Sequence, residues 1–189
     1  MTETVVSSTI ETTGLPESWE EVTLSDIGII ASGGTPKTKD PSNFDGEIPW
    51  ITPADLSGYT KKMISGGKRS ISRKGLETSS ARLLPAGTVL FSSRAPVGYV
   101  AVAEGPISTN QGFKSLIPGE GVFNEFVYYY LKASKQLAES YSSGTTFREL
   151  PAKAFGRLPI PLPPLNEQRR IVEKIEELFT KLDAGEESL

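Results

Sequence analysis

Short apolar runs alternate with polar stretches broken by glycine or proline, and the first regular pattern begins at Trp19. Val22, Leu24, Ile27, Ile29 and Ile30 read as a strand or short helix with one buried face, which Ser32-Gly33-Gly34-Thr35-Pro36 interrupts. A loop through Asn43 and Gly46 leads into the buried run Ile48-Pro49-Trp50-Ile51, closed by Thr52-Pro53. Residues 58–75 have almost no apolar periodicity and are expected to be exposed. Order resumes at Ala81-Arg82-Leu83-Leu84. A turn at Pro85-Ala86-Gly87 then precedes two β-rich runs, 88–91 and 97–102, which predict a hairpin joined through Ser92-Ser93-Arg94-Ala95-Pro96. A further strand is expected between Ile107 and Ile117, with Asn110-Gln111-Gly112 in its middle and a turn at 118–121.

The period then changes from two to three and four. Phe126, Val127, Tyr130, Leu131, Leu137, Ala138 and Tyr141 predict a helix, with Asn124 placed to cap it and Gly144 to stop it. Phe147 to Pro151 reads as a turn or short helix. The proline-rich run from Leu158 to Pro164 suits neither a helix interior nor a central strand. After it Asn166 is placed to cap a last helix, in which Ile171, Ile175, Leu178 and Leu182 follow spacings of four, three and four. Val172 and Phe179 widen that seam, while Glu173, Glu176, Glu177 and Lys181 give the helix a solvated back. Gly185 interrupts the pattern before four heptads accumulate, so an isolated coiled coil would be marginal. The Pro163-Pro164 corner is expected to carry the helix away from the preceding domain, leaving the six apolar positions as a partner interface for an antiparallel helix, a homodimer being one such assembly. The expected organisation is a loose polar terminus (1–14), one mixed α/β domain (15–160), and a proline hinge with a coiled-coil-type helix (161–189).

Composition narrows the chemistry. The chain has 189 residues, enough for one well-buried core, and contains no Cys and no His. That removes disulfides, thiolate and imidazole catalysis, and metal sites built on sulfur or imidazole. Asp40 with Asp45, or Asp26 with Asp55, offer carboxylate pairs, but nothing near them resembles a nucleophile or metal arrangement, so no enzyme activity, metal or cofactor is expected. No run approaches eighteen apolar residues and the N-terminus has no basic leader pattern, which gives a cytoplasmic expectation with no membrane partner.

The net charge of −3 conceals a sharp asymmetry. Residues 1–60 hold two basic and ten acidic side chains, residues 61–94 eight and one, and residues 95–189 ten and twelve. The basic run containing Lys61, Lys62, Lys68, Arg69, Arg73 and Lys74 suits a phosphate backbone, or simply a solvated loop. Gly33-Gly34-Thr35-Pro36 lacks the Walker and dinucleotide patterns, though Thr35 and Lys37 are candidates for phosphate contact. Arg94, in a tight turn between buried runs, is placed either for bidentate contact with guanine or for a carboxylate within the fold. Gln111, Lys114, Thr145 and Thr146 complete the candidate DNA-binding set; amides and hydroxyls of this kind read base edges and also cap turns.

Taken in order, several stretches resemble the specificity subunit of type I restriction-modification systems. They are Leu15-Pro16-x-x-Trp19, Gly34-Thr35-Pro36, Ile48-Pro49-Trp50-Ile51-Thr52, Leu84-Pro85-x-Gly87-x-Val89-Leu90, Ser93-Arg94-Ala95-Pro96-Val97-Gly98, Asn110-Gln111-Gly112 and Gly144-Thr145-Thr146. The segment Ile160-Pro161-Leu162-Pro163-Pro164-Leu165-x-Glu167-Gln168-x-x-Ile171 looks like the junction between that family's target recognition domain and its helical spacer. The resemblance implies a recognition domain of curved, mostly antiparallel strands and several helices. It further implies non-catalytic, sequence-specific binding of double-stranded DNA, with methyltransferase and restriction subunits as partners. Such subunits typically carry two recognition domains and two spacer helices; this chain resembles one of each. The alternative expectation is a protein-interaction or regulatory half subunit that does not bind DNA alone.

Overall fold

The computed structural model describes residues 14–144 and 148–186. Among the described residues ten strands run in chain order as β1 (Glu20–Thr23), β2 (Gly28–Ser32), β3 (Phe44–Ile51), β4 (Met63–Ile64), β5 (Arg69–Ile71), β6 (Val89–Ser92), β7 (Val100–Ala103), β8 (Ser108–Thr109), β9 (Phe113–Pro118) and β10 (Pro159–Leu162). The helices are α1 (Arg73–Glu77), α2 (Asn124–Ala133), α3 (Lys135–Ser140), α4 (Ala152–Gly156) and α5 (Leu165–Glu186). A five-stranded sheet has the order β2-β9-β6-β7-β4, a three-stranded sheet the order β5-β3-β8, and β1 pairs with β10. Pairing is antiparallel except for β3 with β8 and β4 with β7. This is the expected mixed α/β fold with curved, largely antiparallel sheets and a long C-terminal helix.

β6 shows why the two-residue period mattered. Every residue of this strand is buried. Val89 and Phe91 face one cluster with Val127, Leu131, Phe155, Ile160 and Val172, whereas Leu90 faces the other with Ile51, Ile64, Ala101, Ile107 and Phe113. Helices α2, α4 and α5 cover the first face and the three-stranded sheet lies on the side of the second. Phe91 also stacks on Phe155 with ring centroids 5.2 Å apart. Each large side chain buried in this way contributes about 1.5–3 kcal/mol.

The predicted hairpin is present as β6 and β7, paired Val89 to Val102 and Phe91 to Val100. Other expectations change. Residues 58–75 are not an unstructured exposed loop: they contain β4 and β5, and Ile64 and Ile71 are core residues. The two strands are only two and three residues long, too short to produce a visible period. The predicted Phe126–Tyr141 helix is two helices, with Ser134 between them. Phe123 precedes α2, and Asn124 lies within it and donates its side-chain amide to the Gly87 carbonyl at 3.2 Å instead of capping. The proline run forms β10 in a two-stranded pairing, where the missing N–H groups of Pro159 and Pro161 are tolerated.

The last helix differs most from expectation. It starts at Leu165, so Asn166 lies inside its first turn, and it continues through Gly185. After the Pro163-Pro164 corner it turns back onto the domain. Gln168 is fully buried and Val172 joins the main core, because the Phe123 N–H donates to Gln168 Oε1 at 2.7 Å and Gln168 Nε2 donates to the carbonyls of Gly121 and Pro163. Farther along, Phe179 stacks on Tyr129, and Lys62 forms ion pairs with Glu125 of α2 and Glu176 of α5. Burial works against the Lys62 charge, but the two carboxylates outweigh it and its pKa is raised. Among the described residues no helix is long and apolar enough to cross a membrane.

Candidate functional site

Strand register brings distant loops to one end of the central sheet. Ser32 at the end of β2 and Phe91 near the end of β6 both pair with Lys114 at the start of β9. Ile51, the last residue of β3, pairs in parallel with Thr109, the last of β8. The segments leaving these strands therefore converge: Gly33–Lys37, Thr52–Ala54, Ser93–Pro96 and Asn110–Gly112. Between them lies an open cleft of about 590 Å³ lined by Thr52, Pro53, Ala54, Arg94, Ala95, Asn110, Gln111 and Gly112.

Backbone hydrogen bonds hold these segments together. The Gly34 amide donates to Thr109 at 2.9 Å, Ser93 to Gly112 at 2.7 Å, Asn110 to Ile51 at 2.9 Å, and Leu150 to Ser93 at 3.0 Å. The two glycines allow close packing here. A Cβ on Gly33 would lie 1.9 Å from the Asn110 carbonyl oxygen, and one on Gly34 would lie 2.2 Å from the Ala81 nitrogen. This steric requirement gives the Gly-Gly pair a role without any bound phosphate. The Gly34 carbonyl also accepts from the Trp50 indole at 3.0 Å, and the Thr35 hydroxyl donates to the Gln111 side-chain oxygen.

Arg94 stands at the rim of the cleft with its side chain 41% exposed, donating to Glu149 Oε2 at 3.2 Å. The carboxylate alternative for Arg94 is thus realised in the free chain. Glu149 Oε1 lies 3.7 Å from the ammonium of Lys114, which is otherwise buried and 3.4 Å from the Gln111 carbonyl. Burial pulls the Lys114 pKa below the ordinary lysine value; the Glu149 charge opposes that effect and Arg94 adds to it. Because the Arg94–Glu149 pair is half-exposed, it contributes only about 0.2–1 kcal/mol. Glu149 engages Arg94 through Nη1, and a bidentate guanine contact through the rest of the guanidinium fork would discriminate by about 1–3 kcal/mol.

The basic run does not form a single cationic surface. Lys62 is committed to the helices, Arg73 lies 3.8 Å from Glu47, and Lys74 donates to Asp40 at 2.8 Å and to the Ser42 hydroxyl at 2.7 Å. Arg69 places its guanidinium 4.1 Å from the centroid of the Phe44 ring. Lys68 is exposed, and its backbone amide donates to Asp55 at 2.9 Å. Lys37 is exposed on the segment after Thr35. Arg69 and Lys68 border a second cleft with Asp45, Glu47, Pro49, Gly66, Gly67 and Ser70.

Three of the four carboxylates considered for acid–base chemistry are held by donors of neighbouring segments. Asp26 accepts from the Thr23 amide and hydroxyl, and Asp40 from Ser42 and Lys74. Hydrogen bonds from Lys74 and Ser42 hold the Asp40 pKa down to about 2. Asp55 is pushed up by burial, but hydrogen bonds from Thr52 and the Lys68 amide outweigh this and leave its pKa lowered.

Thr35, Arg94, Gln111 and Lys114 are therefore neighbours, whereas Lys68, Arg69, Arg73 and Lys74 lie on the neighbouring β3–β5 and α1 surface. Thr145 and Thr146 fall outside the described residues. Sequence reasoning missed Thr52, Pro53, Ala54, Asn110 and Glu149. Asn110 and Thr52 stand in the family-like motifs and Pro53 closes a buried run, but no periodic or charge signal marks any of the five as a site residue. On α5, Val172 lies in the core and Ile171 packs beside it, while Leu178, Phe179 and Leu182 are 49%, 51% and 63% exposed. Ile175 is half-buried. The six-residue stripe is thus divided between the domain and solvent.

Residues 16–188 match the family model described as the type I restriction modification DNA specificity domain. The chain is 43% identical over 159 residues to the type I restriction enzyme MjaIX specificity subunit of Methanocaldococcus jannaschii, covering 83% of this chain and 37% of that protein. It is 29% identical over 175 residues to the EcoR124I/EcoR124II specificity subunit of Escherichia coli, covering 88% and 42% respectively. The chain thus spans about two fifths of the length of these curated relatives. A solved structure from work on complex assembly and conformational transition of the type I R-M system superposes with a TM-score of 0.76 at 26% identity, over 95% of this chain and 43% of the other. The crystal structure of the HsdS subunit from Thermoanaerobacter tengcongensis shares the fold, with a TM-score of 0.74 at 24% identity over 95% of this chain and 42% of that one.

Proposed function

This chain belongs to the type I restriction-modification DNA specificity family, and from that membership we propose that it reads a sequence in duplex DNA through the cleft between Thr52, Arg94 and Gln111. The observation that carries the reading is the convergence of three loops, contributed by strands of both larger sheets, on one open cleft, with Thr35 of a fourth segment bonded to Gln111. This cleft presents a guanidinium, two carboxamides and a threonine hydroxyl, the groups that address base edges. Lys37, Lys68 and Arg69 serve the flanking phosphates, and Arg73 and Lys74 join them by exchanging their carboxylate partners. The chain recognises and does not catalyse, requires no cofactor, and acts in the cytoplasm.

Its organisation is proposed as a recognition domain over 15–160 and a hinge with spacer helix over 161–189. The partners are double-stranded DNA and the methyltransferase and restriction subunits of the system. Exposure of Leu178, Phe179 and Leu182 at the distal part of α5 supports protein contact there, with a methyltransferase subunit or with the same helix of a second copy. Selection of duplexes from a randomised library, followed by titration against salt, tests the DNA reading. One enriched sequence bound with a steep salt dependence is expected, whereas equal retention of all sequences would refute it.

A further inference from the structure

Glu149 sits among groups that the proposed reading would otherwise leave as independent cations. Its two carboxylate oxygens are divided, Oε2 to Arg94 at 3.2 Å and Oε1 to Lys114 at 3.7 Å. Its main chain is anchored on both sides: the Glu149 amide donates to Ser143 at 3.0 Å, the Ser143 amide donates to Glu149 at 2.9 Å, and the next residue, Leu150, donates to Ser93 at 3.0 Å. Ser93 directly precedes Arg94, so the carboxylate and the guanidinium spring from segments stitched together beside the ion pair. The Arg94 amide in turn points to the Gly112 carbonyl at 3.4 Å, tying the same turn to the Gln111 loop.

A long arginine at the mouth of a cleft can swing to any nearby phosphate, and an arginine used in that way carries no sequence information. Reading a base requires the planar fork to be held in register with the groove. A carboxylate on a fixed backbone limits that swing. It also cancels one of two adjacent positive charges, reducing indiscriminate attraction for the DNA backbone. Lys114 secures the arrangement from beneath, since its buried ammonium sits against the other oxygen of the same carboxylate.

We propose that Glu149 is a positioning residue that holds the Arg94 guanidinium at the rim of the cleft, so that Arg94 discriminates among base pairs instead of seeking phosphate. This rests on the DNA-reading proposal, but its mechanical part is independent of DNA. The test compares the full chain with its isosteric Glu149→Gln variant, with circular dichroism and thermal melting to establish folding. In the free proteins, nitrogen relaxation of the Arg94 guanidinium should show an ordered side chain in the parent and a mobile one in the variant. Equal mobility would overturn the positioning role even if no preferred duplex were found.

With duplexes enriched from a randomised library, the ratio of preferred to scrambled affinity should fall roughly tenfold in Glu149→Gln, while scrambled binding is unchanged or stronger. Arg94→Ala added to Glu149→Gln should lower the ratio little further, because the two residues act as one unit. Arg94→Lys, which retains the charge and leaves Glu149 in place, should reproduce the fall and provides the same test if Glu149→Gln does not fold. A retained ratio in Arg94→Lys, equal losses on both duplexes, or independent effects of Arg94 and Glu149 would overturn the proposal. A parent chain without any duplex preference would refute the DNA reading, leaving the relaxation result to decide the mechanical part.

Discussion

Gln168 of α5 accepts the Phe123 N–H at 2.7 Å, linking the first turn of the long helix to the residue that precedes α2. The side chain is fully buried, and its amide also serves Gly121 and Pro163 at 3.0 and 2.8 Å. A proline corner that would otherwise release the helix is therefore followed within one turn by a three-bond latch. Gln168→Ala should destabilise the chain by about 2–4 kcal/mol, because three backbone groups lose their partner together. Urea unfolding gives the measurement, and a midpoint equal to the parent's would refute the latch.

The two parts of α5 should respond differently to substitution. Val172 is in the core, so Val172→Ala is expected to cost about 1–3 kcal/mol in the monomer. Leu178→Glu with Leu182→Glu should leave monomer stability within about 0.5 kcal/mol, since both side chains are exposed. Light scattering across a concentration series should show self-association in the parent and its loss in the doubly charged variant. Undiminished association in that variant would place the contact elsewhere.

Arg94 and Lys68 should separate base reading from phosphate binding. Arg94→Ala is expected to cost about 1–3 kcal/mol on the preferred duplex and much less on scrambled DNA. Lys68→Ala should weaken both alike and reduce the slope of log affinity against log salt by about one unit. The same salt slope in Lys68→Ala as in the parent would remove Lys68 from the backbone contacts, and equal losses in Arg94→Ala would reassign Arg94 to phosphate.

Asp40 gives a prediction in pH. Its folded pKa of about 2 lies below the ordinary 3.8, so deprotonated Asp40 favours the folded state above the ordinary value. That contribution declines as pH falls from about 4 through about 2. Lys74→Ala removes the largest cause of the depression, leaving the hydrogen bonds from Ser42. The Asp40 carboxyl resonance should then titrate closer to 3.8, and acid unfolding should depend less on pH in this window. An unchanged Asp40 midpoint in Lys74→Ala would show that Ser42 alone sets it.

Local pattern determined much of this protein by itself. The β-rich run Thr88-Val89-Leu90-Phe91 specifies a strand, the turn residues at 92–96 specify its hairpin, and the three- and four-residue spacings specify α2 and α5, because these signals are properties of neighbouring positions. The ordered motifs identified the family for the same reason. Tertiary structure alone decided that Ile64 and Ile71 anchor strands in a lysine-rich stretch, since a two- or three-residue strand is stabilised by its sheet neighbours rather than by its own period. It also decided that Glu149 meets Arg94 across 55 positions, and that the stripe on α5 is divided between Val172 inside and Leu182 outside. The amphipathic pattern establishes that one helix face must be covered, but the covering surface is assembled from distant segments whose meeting is set by strand register and by the Gln168 latch.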